Sequence, residues 1–128
     1  MTGKYTFSKS EKLCSKKDID RLFNEGRSFT LRPLKLIYLA PEITGFQPVR
    51  VIIAIPRKRF KRAVDRNRIR RLIREAYRLN SHKLNNLAGS IDLGFVYVGD
   101  SAAVKFSEIE SRVVACLDRA INEIKYPG

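Results

Sequence analysis

The chain has 128 residues, 26 Lys and Arg against 13 Asp and Glu, and a formal net charge of +13. At 44% hydrophobic, with 7 Phe and 5 Tyr, it is too apolar for a disordered basic tail, and its length fits one domain, residues 1–128. No apolar run approaches the ~20 residues of a membrane span, and Met1 to Lys12 lacks the apolar middle of a secretory signal, so a cytoplasmic protein without a membrane partner is expected.

Ser15 with Asp18 has the form of a capping box, and Ile19, Leu22 and Phe23 recur at helical spacing until Gly26, a residue suited to a left-handed helix end. A first helix is expected over Lys16 to Glu25. Beta-favouring residues follow in three strands, Ser28 to Leu31, Leu34 to Leu39 and Val49 to Ile55, the last two joined by a turn over Pro41 to Phe46. A second helix is predicted over Lys61 to Asn80, then a polar loop to Ser90, and a fourth strand over Ile91 to Val98. The last helix is expected to begin at Ser107, with Glu110 completing a Ser-x-x-Glu capping box, and to run to Lys125. Its Ile109, Val113, Leu117, Ala120, Ile121 and Ile124 form an apolar stripe.

The order αβββαβα predicts an α/β protein in the broad sense, an α+β sandwich with helices packed on a mixed four-stranded sheet. The general rule makes a parallel crossover from the third strand through the second helix right-handed. Cys14 and Cys116 stand far apart without partners at a metal-ligand spacing, and read as buried or half-buried free thiols. No metal site is expected.

Charge is unevenly spread. Arg57 to Arg78 holds eleven basic residues against Asp65 and Glu75, a net +9, while residues 1–35 carry +5 and the remainder is close to neutral. On a helical wheel Ile69, Leu72, Ile73 and Ala76 form one apolar stripe, and Asn67, Arg68, Arg70, Arg71, Arg74 and Arg78 cover the other side. A solvated face usually alternates Glu with Lys or Arg; here Arg66, Arg70 and Arg74 stack like on like, at a cost of about a few tenths of a kcal/mol per pair. Arginine grips phosphate oxygens through two bonds, so the pattern points to a polyanion. Arg66 and Arg71 lie away from the centre of the apolar stripe, and their removal is expected to spare stability. The single histidine, His82, falls in the polar loop and reads as an exposed loop residue rather than a base or ligand.

The stretch Lys61-Arg62-Ala63-Val64-Asp65-Arg66-Asn67-Arg68-Ile69-Arg70-Arg71-Leu72-Ile73-Arg74-Glu75 closely resembles the RNR signature of the bacterial ribonuclease P protein component. Phe7 to Leu13, the first helix, the element order and the length resemble that family too. The resemblance implies a left-handed crossover in place of the general rule. It also implies a subunit of the ribonucleoprotein endonuclease that removes the 5′ leader from precursor tRNA. In such a holoenzyme the RNA subunit hydrolyses the bond with Mg²⁺, and the protein, holding no cofactor or catalytic residue of its own, binds the catalytic RNA and the leader.

Carried over by position, Lys61, Arg62, Arg66, Asn67, Arg68, Arg70, Arg71 and Arg74 are the RNA-binding set. In relatives a cleft between the first helix and the sheet receives the leader, and the resemblance implies the same here. Phe23 matches one of its aromatic residues, Ile19 stands where relatives often have Phe, and the sheet wall offers Ile37 or Tyr38. Tyr38 is the better chemical candidate because a base needs a π face; Phe23 fits a core aromatic equally well until its exposure is known. A monomer without DNA as a partner is expected, since strands flank the second helix. The alternative is a general or ribosomal RNA-binding protein with no role in tRNA processing.

Overall fold

The computed structural model describes residues 16–40, 49–84 and 91–126. The expected turn over Pro41 to Phe46, Cys14, the Ser15 cap, the Phe7 to Leu13 segment and the end of the polar loop lie outside the described residues.

Among the described residues three helices and four strands follow the predicted order: α1 (Lys16–Glu25), β1 (Arg27–Leu31), β2 (Leu34–Leu39), β3 (Arg50–Ala54), α2 (Ala63–Asn80), β4 (Asp92–Tyr97) and α3 (Phe106–Lys125). The sheet runs β1-β2-β4-β3. β1 and β2 form an antiparallel hairpin, β2 pairs antiparallel with β4, and β4 lies parallel to β3, to which it is joined through α2. The start of the predicted polar loop is instead a short 3₁₀ turn, Ser81–Leu84, in which His82 is exposed.

Strand alternation divides the side chains between two layers. Leu34, Leu36, Val51, Leu93 and Phe95 face α2 and α3, where they meet Ile69, Ile73, Ala76, Ile109, Val113 and Leu117 in the main core. Tyr77 joins this core, although it lay outside the predicted stripe of α2; its ring stands edge-on to Phe95 at 6.0 Å. On the opposite layer a smaller cluster has Leu22 of α1 buried against Ile37, with Ile19, Leu39, Ile52 and Val96 half-buried around them.

Three helix ends differ from expectation. α2 begins at Ala63 instead of Lys61, after an extended Arg62. α3 starts one residue earlier, at Phe106, after an extended Lys105 that caps nothing with its side chain. Ser107 therefore falls inside the first turn, and Glu110 accepts a hydrogen bond from Asn80 across the α2–α3 interface at 3.2 Å instead of closing a capping box. Gly26 is outside the left-handed region; what its position requires is space. A Cβ there would lie 2.5 Å from the Leu22 carbonyl oxygen and 2.9 Å from Ile37 Cγ2. Cys116 is fully buried in α3, and burial pushes its thiol up to about 12, so it packs as a small apolar group.

Beneath α3, Tyr38 donates its phenolic hydrogen to Glu123 at 2.5 Å, and Arg119 donates to the same carboxylate at 3.0 Å while lying 4.4 Å from the Phe29 ring centre. The Tyr38 hydrogen bond, then that of Arg119, holds the Glu123 carboxyl below its usual 4.5. A depressed carboxylate stabilises the fold above its unfolded pKa and loses that contribution as pH falls through the folded value. The stability gap between the native chain and Glu123→Gln should therefore be widest near neutral pH and shrink steadily below about pH 4.5. Urea melts at pH 7, 5 and 3 measure it; a constant gap would show that the charge of Glu123 contributes nothing.

Candidate nucleic-acid interface

The basic segment divides into arginines that serve the fold and arginines that face outward. Arg66 donates to the carbonyls of Phe60 and Lys61 at 2.7 and 2.9 Å, closing the turn that leads into α2. Arg68 reaches 34 and 36 residues along the chain to the carbonyls of Ala102 and Val104, at 2.5 and 2.8 Å, and so ties α2 to the segment entering α3. Both side chains are half-buried. Arg66, expected to be dispensable for stability, is thus tied to the backbone ahead of α2 by two bonds, one part-buried and one exposed. Arg78 forms an ion pair with Glu75 one turn away, and Arg59 bridges Val98 O and Asp100 at 2.8 and 3.1 Å.

The outward group is Lys61, Arg62, Asn67, Arg70, Arg71 and Arg74. All are exposed except Arg70, which is half-buried and donates to Asn67 Oδ1 at 3.3 Å. Arg62 stands 3.9 Å from Asp65, a distance at which an exposed pair contributes little. Among the described residues Arg71 has no hydrogen bond or ion pair. Arg62 is also the extended residue before the first turn of α2, whose amides receive no side-chain cap. Cations beside the positive end of a helix dipole are unfavourable, and an external anion relieves both charges at once.

The groove candidates separate by strand parity. Ile37 points to the α1 layer and sits under Leu22; Tyr38, its neighbour, points to the other layer, is only 5% exposed, and is bonded to Glu123. Tyr38 is therefore excluded as a stacking surface beneath α1, and Ile37 is the sheet residue on that side. Phe23 is 43% exposed, which removes it from the core, and Ile19 shares its edge of α1 four residues earlier. The floor beneath them continues through half-buried Ile52 and Val96, which the sequence did not single out. Gly94 lies in the same floor because Leu22 comes close: an added Cβ would stand 3.2 Å from Leu22 Cδ2.

A three-residue network was also missed. Arg50, at the start of β3, donates through Nε and Nη2 to both oxygens of Asp92, each at 2.9 Å, and through Nη1 to Asp18 of α1, again at 2.9 Å. Asp92 is 3% exposed. The hydrogen bonds to Asp92, and secondly to Asp18, hold the guanidinium pKa above its usual value despite desolvation. The legible signal was one charge of each sign at the heads of two otherwise apolar strands.

A mixed sheet with α1 on one layer, and an arginine-faced helix packed on the other, defines a cationic α+β protein with an open anion-facing surface. A sequence model of the family described as Ribonuclease P matches residues 7–121. The chain is 43% identical over 89 residues to the ribonuclease P protein component of Porphyromonas gingivalis, covering 68% of this chain and 65% of that one. It is 41% identical over 78 residues to that of Dictyoglomus thermophilum, covering 61% and 62%. The match thus spans just under two thirds of the length of these relatives. In fold, it resembles the RNase P protein of Staphylococcus aureus, with a TM-score of 0.68 and 19% identity over 88% of this chain and 96% of that one. It resembles that of Thermotoga maritima equally, at 0.69 and 22% over 85% and 96%. The chain belongs to the ribonuclease P protein family.

The division of arginines has a measurable consequence. Arg68→Ala strands two carbonyls and should cost about 2 kcal/mol, roughly 8 °C in melting temperature, whereas Arg71→Ala should stay within about 0.5 kcal/mol of the native chain. Equal melting temperatures for the two variants would show that the Arg68 bonds do not support the fold.

Proposed function

We propose that this chain is the protein subunit of ribonuclease P, binding the catalytic RNA through α2 and the single-stranded 5′ leader of precursor tRNA through the groove under α1. Bond hydrolysis belongs to the RNA subunit and its Mg²⁺; the protein supplies binding and orientation. The observation that carries this reading is the outward set Lys61, Arg62, Arg70, Arg71 and Arg74, gathered on one side and at the N-terminal end of one helix whose N-cap residue makes no side-chain cap bond. Membership of the family supports the choice of RNA and of the reaction.

The groove suits a leader of any sequence. Half-buried Ile52 and Val96 offer apolar surface around buried Ile37, and Phe23 is the exposed aromatic of α1. One ring stacking on one base contributes about 1–3 kcal/mol and is tolerant of base identity. A single copy of the chain suffices, working in the cytoplasm.

Adding the protein to the catalytic RNA at low Mg²⁺ should restore leader removal from precursor tRNA; no stimulation would contradict the assignment, and equal affinity for unrelated structured RNA would favour a general RNA-binding role. Five phosphate contacts predict that log Kd changes with log salt with a slope of magnitude about 4, and Arg71→Ala should lower it by about 1. A flat dependence between low and physiological salt would remove the electrostatic basis of the reading.

A further inference from the structure

α1 is a short helix with little to hold it. Its ten residues fall below the length at which a helix persists alone, and Leu22 is its single fully buried side chain. Three fixtures seat it across one end of the sheet. Gly26 lets the chain turn tightly into β1 against Ile37, and Gly94 leaves the hollow into which Leu22 settles. The third is Arg50, which is fastened to buried Asp92 by two nitrogens and extends its remaining one to Asp18. An apolar pair would serve the β3–β4 contact at least as well as a desolvated ion pair. What an apolar pair cannot supply is that third bond, which links the sheet to α1.

We propose that Arg50 is a positioning residue: through Asp18 it fixes where α1 lies on the sheet and so sets the groove in which Phe23 meets the leader. The inference rests on the leader-binding reading above. Asp18, Ile19 and Phe23 belong to one rigid element, with Phe23 five residues, about 7.5 Å, along the axis from the clamp. Releasing Asp18 leaves Leu22 as the one buried pivot and lets the edge that carries Ile19 and Phe23 move over the floor of Ile37, Ile52 and Val96.

The test is Asp18→Ala, which removes the acceptor and leaves the Arg50–Asp92 pair intact. Asp20→Ala, an exposed change of equal charge and size on the same helix, is its control. The quantities read are the ratio of affinities for precursor tRNA with a leader and for mature tRNA, measured with the assembled holoenzyme, and the affinity of the protein for the catalytic RNA. Asp18→Ala should lower the ratio by about five- to tenfold, a loss of the size one stacked base carries, with catalytic RNA affinity unchanged within about twofold. Asp20→Ala should leave both as in the native protein. Because the clamp acts through the ring, adding Asp18→Ala to Phe23→Ala should lower the ratio no further. A native ratio in Asp18→Ala, an equal loss in Asp20→Ala, or additive losses with Phe23→Ala would each overturn the proposal. A native holoenzyme that does not distinguish the two tRNA forms would overturn the leader-binding reading itself, and the proposal with it.

Discussion

Like charge concentrated on one helix is the constraint that organises this molecule. Six arginines lie within α2, and the fold absorbs part of their repulsion by giving some of them oxygen acceptors: Phe60 and Lys61 carbonyls for Arg66, Ala102 and Val104 carbonyls for Arg68, the Glu75 carboxylate for Arg78. Those bonds also do architectural work, since they fasten the entry of α2 and the entry of α3. Facing outward from the same helix is a group centred on Arg70, Arg71 and Arg74. A helix so charged is held in place by its apolar stripe, with Ile69, Ile73 and Ala76 fully buried beneath the arginines. The stability of the fold and the strength of the surface field are therefore set on opposite sides of the same eighteen residues.

The second organising feature is the pleat of the sheet. Adjacent residues Ile37 and Tyr38 enter different layers, one packed under α1 and the other in a part-buried polar contact under α3. The two layers are unequal. The layer of α2 and α3 contains nearly all the buried apolar side chains, whereas that of α1 is shallow and half open, held by Leu22 and the Asp18–Arg50–Asp92 network. Removing Arg50 would leave Asp92 buried without its partner, a loss of about 3–5 kcal/mol, so the same residue that seats α1 also joins β3 to β4.

Much of the fold was legible in the sequence because its signals are local. Apolar spacing located all three helices to within two residues, and proline and polar punctuation bounded the strands. The arginine wheel was legible for the same reason, as 3.6-residue periodicity depends on nothing outside the helix. What was illegible depends on distant partners. That Arg68 binds carbonyls 34 and 36 residues away cannot be read from its own neighbourhood, nor can the diversion of Glu110 to Asn80, which replaced an apparently sound capping box. Gly26 was singled out correctly but for the wrong property, because close approach to Leu22 and Ile37 exists only after α1 and β2 meet. The choice between Ile37 and Tyr38 needed the strand register, and Arg50 with Asp92 needed the parallel pairing that sets them side by side.

The central claim is that the outward arginines of α2, and not the surface of α3, meet the catalytic RNA. Photo-crosslinking tests it most directly: a reactive group is attached through Arg71→Cys on α2 or, for comparison, Asn122→Cys on exposed α3, with Cys14 replaced by Ser and buried Cys116 left unreactive. The account predicts crosslinks to the catalytic RNA from position 71 and none from position 122. Crosslinks from 122 alone, or equally from both, would contradict it.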